Sequence, residues 1–150
     1  MLRAFYISAI VLTIGAIIIS AYFIEEVSSC RSASYDYSYG DSYGTDDNFE
    51  YYHDRSKDAT VSAGIISMIY FLIMETIFIL SFIRLKTKTI KVFSIIGISL
   101  TGIMIFWDAL MISSPGGLSF DETGVAWIFF MVIMLAFSIV GMIHAFRKKV

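Results

Sequence analysis

The sequence predicts an all-α integral membrane protein, an antiparallel bundle of four transmembrane helices with both termini in the cytoplasm. Two observations predict this fold class. The chain of 150 residues is 57% hydrophobic and only 16% charged, with a mean hydropathy of +0.76, whereas ordinary globular domains carry about 25% charged residues. The apolar residues also form four long runs, each of which can cross the hydrocarbon core with about 20 residues.

The four runs predict the spans and leave one large segment between the first two. Each span must be helical, because the bilayer core holds no water to satisfy an open backbone. The chain is one membrane domain, 1–150, that includes an acidic outer loop over residues 25–58. The spans are predicted at about 4–24, 60–83, 92–112 and 124–146.

The distribution of charge predicts the orientation of the bundle. Residues 25–58 and 113–123 together hold eleven acidic and three basic residues. Short cytoplasmic loops carry an excess of lysine and arginine, so these two segments are predicted to be extracytoplasmic, in a plasma membrane or a bacterial inner membrane. The opposite, cytoplasmic side carries Arg3, Arg84, Lys86, Lys88, Lys91, Arg147, Lys148 and Lys149.

Tyrosine is concentrated in the outer loop. Tyrosine gives contact area and a hydroxyl at low entropic cost, which is why it is enriched at interfaces. The alternation of the first three would line one face of a strand added to a partner sheet. We interpret the loop as a partner-binding surface, with a mobile acidic linker as the alternative. The six tyrosines are Tyr35, Tyr37, Tyr39, Tyr43, Tyr51 and Tyr52.

Two carboxylates fall inside the predicted spans, and such residues point to function by default. Glu75 lies about 13 Å along its helix from Arg84, and therefore near the middle of the membrane. Asp108 lies in the outer third, where we expect it to be a wetted acid at a helix end or an interface. Three hydroxyl residues fall at the depth of Glu75 and predict a hydrogen-bonded polar layer with it: Thr13, Thr101 and Ser138.

Small and polar residues form stripes along the spans, at separations of three, four or seven that share one helix face. Small residues let membrane helices approach closely, so we expect the four stripes to face each other with Glu75 inside. They are Ala9, Thr13, Ala16 and Ser20; Gly64, Met68, Phe71, Glu75 and Phe82; Ser94, Gly97, Thr101 and Asp108; and Ser138, Gly141 and Ala145.

Glu75 has three interpretations. It is a carboxylate that accepts a proton or binds a cation, a protonated structural acid bonded to Thr13 or Thr101, or the partner of a basic group on another subunit.

Catalytic chemistry has little support in the sequence. His53 and His144 fall on opposite sides of the predicted membrane, so they cannot together hold one metal or haem. Cys30 is the only cysteine and cannot form an internal disulfide. We predict no catalytic residue, no metal site, no cofactor and no nucleic-acid partner.

The sequence therefore favours a small non-enzymatic accessory or assembly subunit of a larger membrane complex. Its partners would be membrane lipids and other membrane-protein subunits, in a hetero-complex or a homo-oligomer, bound through the helices and the tyrosine-rich loop. One alternative is an oligomeric proton- or cation-coupled transporter or channel component that uses Glu75. Another is a membrane protein that binds a lipid or a small molecule.

Overall fold

Helices account for nearly all of the described chain. The computed structural model describes residues 2–39, 46–84, 87–114 and 120–147, and all of these except Thr87 and Ser114 are helical. Each helix contains a stretch long and apolar enough to cross a membrane. The prediction of an all-helical protein with four candidate spans is therefore confirmed. The helices are α1 (Leu2–Tyr39), α2 (Asp46–Arg84), α3 (Lys88–Ser113) and α4 (Phe120–Arg147).

Neighbouring helices run antiparallel. Three side-chain contacts along the α1–α2 interface show this, because the residue numbers rise on α1 while they fall on α2. These contacts join Tyr6 with Ser81, Thr13 with Tyr70, and Glu26 with Arg55. The same reversal relates α2 to α3, where Phe78 packs beside Gly97 and Ile112 beside Gly64.

The helices are not packed equally around the bundle. α1 packs extensively on both α2 and α4, and α2 packs extensively on α3, whereas α3 and α4 meet only weakly. The aromatic ring of Phe93 on α3 lies 5.3 Å from that of Phe137 on α4. Since α1 and α2 contact each other and one outer helix each, they form the central pair of the bundle.

Buried residues recur at alternating separations of three and four, a repeat that keeps one seam of a helix against its neighbour. On α3 this seam is Ile90, Ser94, Gly97, Thr101, Met104, Asp108 and Met111. On α1 its membrane part is Tyr6, Ala9, Thr13, Ala16 and Ser20. Helix α2 has a wider buried face than α1 or α3, and its additional buried residues are Ala59, Gly64, Phe71 and Phe78.

The ends of the helices that carry Arg3 and Lys91 lie together. The Arg3 guanidinium lies 4.3 Å from the centre of the Phe146 ring near the end of α4. The Lys91 ammonium lies 5.6 Å from the Phe82 ring near the end of α2. Helix α3 begins just after Thr87, whose carbonyl accepts a hydrogen bond of 3.1 Å from the Lys91 amide. Thus α2 and α3 form a tight hairpin at the end of the bundle that holds the first and last described residues.

The structure has helix where the sequence analysis predicted an outer loop. Helix α1 continues to Tyr39 and α2 starts at Asp46, so most of residues 25–58 are helical. Val27 and Ala59 are buried in this extension and belong to the same core cluster as the membrane part. Arg55 Nη2 adds an ion pair of 3.3 Å to Glu26 Oε1. The extensions of α1 and α2 therefore pack against each other through buried apolar side chains and one ion pair.

Candidate functional site

Asp108 is the acidic residue that the bundle buries completely. Its exposed fraction is 0%, and neither carboxylate oxygen has a hydrogen-bond partner among the described residues. The sequence analysis expected a wetted acid near the surface. The structure instead buries Asp108 because it lies seven residues after Thr101 and therefore on the same inward seam of α3.

Helix α2 supplies the surroundings of Asp108. A Cβ at Gly64 would lie 3.7 Å from the Asp108 carbonyl oxygen, so the two backbones come close at this point. One turn along α2, Ser67 interacts with the Asp108 carboxyl group. The Ser67 hydroxyl nevertheless makes no hydrogen bond of acceptable geometry, although the residue is only 3% exposed. Three oxygen atoms with unused bonding capacity therefore lie in the α2–α3 interface.

Glu75 does not lie inside the bundle, where the stripes of small and polar residues predicted it. It is half-buried, at the border between the packed face of α2 and the face turned away from the bundle. Within the described residues it makes no hydrogen bond and no ion pair. Its neighbour Thr76 is exposed and donates a hydrogen bond of 2.9 Å to the Leu72 carbonyl. The interior of α2 at this level is filled by Met74 and Phe78, which are 0% and 3% exposed.

The structure buries three of the four residues of the predicted polar layer, but it does not join them to one another by hydrogen bonds. Thr13, Thr101 and Ser138 are all buried, at 0–1% exposure. Thr101 donates to the Gly97 carbonyl at 2.9 Å, and Ser138 donates to the Met134 carbonyl at 2.8 Å. These two hydroxyls therefore bond to their own helices. Only Thr13 bonds across the bundle, through a contact of 3.0 Å with the Tyr70 hydroxyl.

Two residues of α2 that bond to α1, Tyr70 and Ser81, were not predicted from the sequence. Because Thr13 donates its single proton to the Ala9 carbonyl at 2.7 Å, Tyr70 must be the donor in the Thr13 pair. Near the hairpin end, the Tyr6 hydroxyl donates to Ser81 Oγ at 2.6 Å. Counting residues from the charged ends placed Thr13 level with Glu75, so only the structure shows that Thr13 pairs with Tyr70.

Replacing Thr13 with valine should destabilise the bundle by about 1 kcal/mol, the usual size of a hydrogen bond between membrane helices. Valine removes the acceptor for the Tyr70 hydroxyl and keeps the volume of the side chain. The unfolding free energy in a double-mutant cycle with Tyr70→Phe should show the coupling. Thr101→Val should show no coupling to Tyr70→Phe, since Thr101 bonds only to its own helix. Equal coupling in both cycles would contradict the assignment.

Some of the predicted site residues are only partly described. Tyr43, Lys86, Lys148 and Lys149 lie outside the described residues. The backbones of Tyr35, Tyr37, Tyr39 and Arg147 are helical, but their side chains lie outside the described part of the structure.

The described members of these sets lie on the surface of the bundle. Tyr51 is 57% exposed, and its ring stands 5.3 Å from that of half-buried Tyr52. Arg84, Lys88 and Lys91 are exposed. The part of each prediction that concerns membrane orientation or a partner stays a prediction.

The described residues contain no group of three or more histidine, cysteine, aspartate or glutamate side chains that could hold a metal ion. No protein-family model matches this chain, and neither the curated proteins nor the solved structures provided a match. Its function is therefore argued from the positions of its own polar groups.

Proposed function

We propose that this chain is a small non-enzymatic accessory or assembly subunit of a larger membrane protein complex. The observation that carries the proposal is the position of Glu75, at the border of the outward face of α2 and near the middle of the span. The partner that we propose is a helix of another subunit, which packs on the outward face of α2 and carries a basic side chain at the depth of Glu75.

The cost of a carboxylate at this depth supports a partner. Insertion of an acidic side chain at the centre of a helix costs about 2.5–3.5 kcal/mol, and such residues ordinarily face a bundle interior or pair with another group. Glu75 does neither within the described residues of this chain. The surrounding outward face of α2 is apolar, with Leu72 46% exposed and Ile79 41% exposed. Helix packing around one charged pair is therefore the interaction that we propose.

The helical extensions offer a second contact region, outside the proposed membrane spans. Arg55 Nη1 donates to the Tyr51 hydroxyl at 3.3 Å, and Arg55 also pairs with Glu26 on α1. These contacts tie the α1 and α2 extensions together. In the proposed orientation the termini are cytoplasmic and this tyrosine-rich pair of helices projects outside the cell, where it docks on the same partner.

Glu75→Leu should reduce the amount of co-purified partner more than tenfold, because truncating one member of a buried charge pair costs about 2–5 kcal/mol. Mild detergent extraction from native membranes, followed by quantitative mass spectrometry, measures the stoichiometry. Thr76→Val is the matched control, since its hydroxyl already bonds to its own helix, and it should keep the partner. A wild-type chain that extracts alone, or a partner retained equally by Glu75→Leu, would contradict the proposal.

Glu75 also separates the subunit proposal from the transporter proposal. If the chain is an oligomeric proton- or cation-coupled transporter or channel component, Glu75→Gln should abolish flux in liposomes while the homo-oligomer stays intact. In the accessory subunit that we propose, the purified chain alone has no flux and Glu75→Gln changes only the binding of the partner. Retention of one specific lipid by the wild-type chain would favour the lipid-binding alternative.

A further inference from the structure

The α2–α3 interface near Asp108 contains buried oxygen atoms that could accept or donate further hydrogen bonds. Within the described residues, the two Asp108 carboxylate oxygens and the Ser67 hydroxyl make no hydrogen bond of acceptable geometry, although Ser67 adjoins the Asp108 carboxyl group. The two residues are 0% and 3% exposed. Native proteins leave few such atoms without partners, and each one calls for an explanation. Here three occur together, contributed by two helices that pack closely at Gly64.

No basic side chain of the described residues neutralises Asp108. Lys91 lies seventeen residues earlier on α3, about 25 Å along the helix. Lys57, the nearer of the two basic residues that precede Ser67 on α2, lies ten residues before it, about 15 Å away along that helix, and is paired with Asp54. An ionised carboxylate with no partner costs several kcal/mol in a low-dielectric interior. The described residues therefore do not supply the positive charge that an ionised Asp108 would need.

Space for a further oxygen ligand exists beside Ser67. A cavity of about 10 Å³ borders Ser67, Ser20 and Tyr70, which is about the room that one water molecule occupies. The cavity is lined from α1, α2 and α4, so it adjoins Ser67 and not the Asp108 carboxylate itself. Small hard cations prefer oxygen ligands.

We propose that Asp108 and Ser67 form an internal binding site for one small positive ion, a sodium-sized cation or a proton. Either ion would neutralise the Asp108 carboxylate, because each supplies one positive charge to its two oxygens. The site holds one carboxylate and therefore needs one positive charge. The site is separate from Glu75 and does not depend on a partner subunit.

Other titratable groups near the interior are few and already bonded. Among the described residues, the remaining buried side chains that can titrate are Tyr6, Tyr70 and Cys30. The two tyrosines bond to Ser81 and Thr13. From α2, the groups that face Asp108 are Ser67 and Gly64, neither of which carries charge. A response of the bundle to cations or to acid is therefore assigned to Asp108 by substituting that residue.

The test is the unfolding temperature of the purified full-length chain in lipid nanodiscs. It is measured in sodium chloride, potassium chloride and choline chloride at equal ionic strength, at acidic and at alkaline pH. A ligand that binds only the folded state raises the unfolding temperature with its concentration. A sodium site predicts a rise of several degrees in sodium over choline. A proton site predicts a rise of similar size at acidic over alkaline pH, equal in all three salts.

Asp108→Asn should remove whichever response the wild-type chain shows. Asp58→Asn, which makes the same change at an exposed position of α2, should keep it. Ser67→Ala tests the site without altering charge and should move the midpoint of the response to a higher concentration of the ion. A wild-type chain indifferent to both cation and pH would overturn the proposal. An Asp108→Asn or Ser67→Ala variant that responds as the wild-type chain does would overturn it equally.

Discussion

Replacing Gly141 with valine should destabilise the bundle by about 1–3 kcal/mol, the usual cost of forcing extra volume into a packed interior. A Cβ at Gly141 on α4 would collide with the Tyr6 ring on α1. The ring cannot move freely, because its hydroxyl is bonded to Ser81 on α2. The valine should therefore have two effects: it should push α4 away from α1, and it should break the Tyr6–Ser81 hydrogen bond. Reversible unfolding in a denaturing detergent measures the free energy.

Gly102 provides the control for this substitution. A Cβ there would meet nothing within 4 Å, so Gly102→Ala should leave the stability unchanged or raise it, by at most about 1 kcal/mol from helix propensity. A Gly141→Val variant as stable as Gly102→Ala would show that α1 and α4 do not pack as described.

Replacing Phe71 with alanine should cost about 2–3 kcal/mol. Phe71 on α2 is 0% exposed and belongs to the core cluster. Lipid tails are as apolar as a protein interior, so little transfer energy is lost when a membrane helix leaves the bundle. The expected cost comes instead from the cavity, at about 24 cal/mol for each Å³ left empty. The unfolding free energy of the variant in nanodiscs is the measurement.

Phe106 is the matched control for Phe71. It is 65% exposed on α3, and Phe106→Ala should change the unfolding free energy by less than about 0.5 kcal/mol, as surface substitutions usually do. Equal losses for the two variants would contradict the burial of Phe71. A loss at Phe106 alone would indicate a second chain packed against α3.

The polar layer shows how far residue spacing can predict a site. Counting residues from the charged ends placed Thr13, Thr101 and Ser138 at one level, and all three are buried. The same counting placed Glu75 with them, but depth does not specify which way a side chain points. The buried face of α2 at this level is formed by Phe71, Met74 and Phe78, and Glu75 falls at its edge.

Hydropathy does not predict that the first two helices extend beyond their apolar runs. Hydropathy identifies segments that can enter lipid, and residues 25–58 are too polar to do so. Their helical structure depends on contacts between two distant segments, such as the pair of Arg55 and Glu26 and the burial of Val27 and Ala59. Each of these contacts joins α1 to α2, so the composition of either segment alone does not predict it.

The sequence by itself determined the fold class and the number of candidate spans, because a bilayer leaves long apolar segments no alternative to the helix. It also determined the inward seam of α3, since separations of three, four and seven residues share one face whatever the neighbour is. Only the tertiary structure decided which acid is enclosed. The spacing on α3 gives the face on which Asp108 lies, and the close approach of α2 at Gly64 encloses that face. Glu75 lies at the border of the packed face because Tyr70, Met74 and Phe78 occupy the interior. A residue is enclosed only where a second helix covers its face, and the sequence of one helix does not specify that helix.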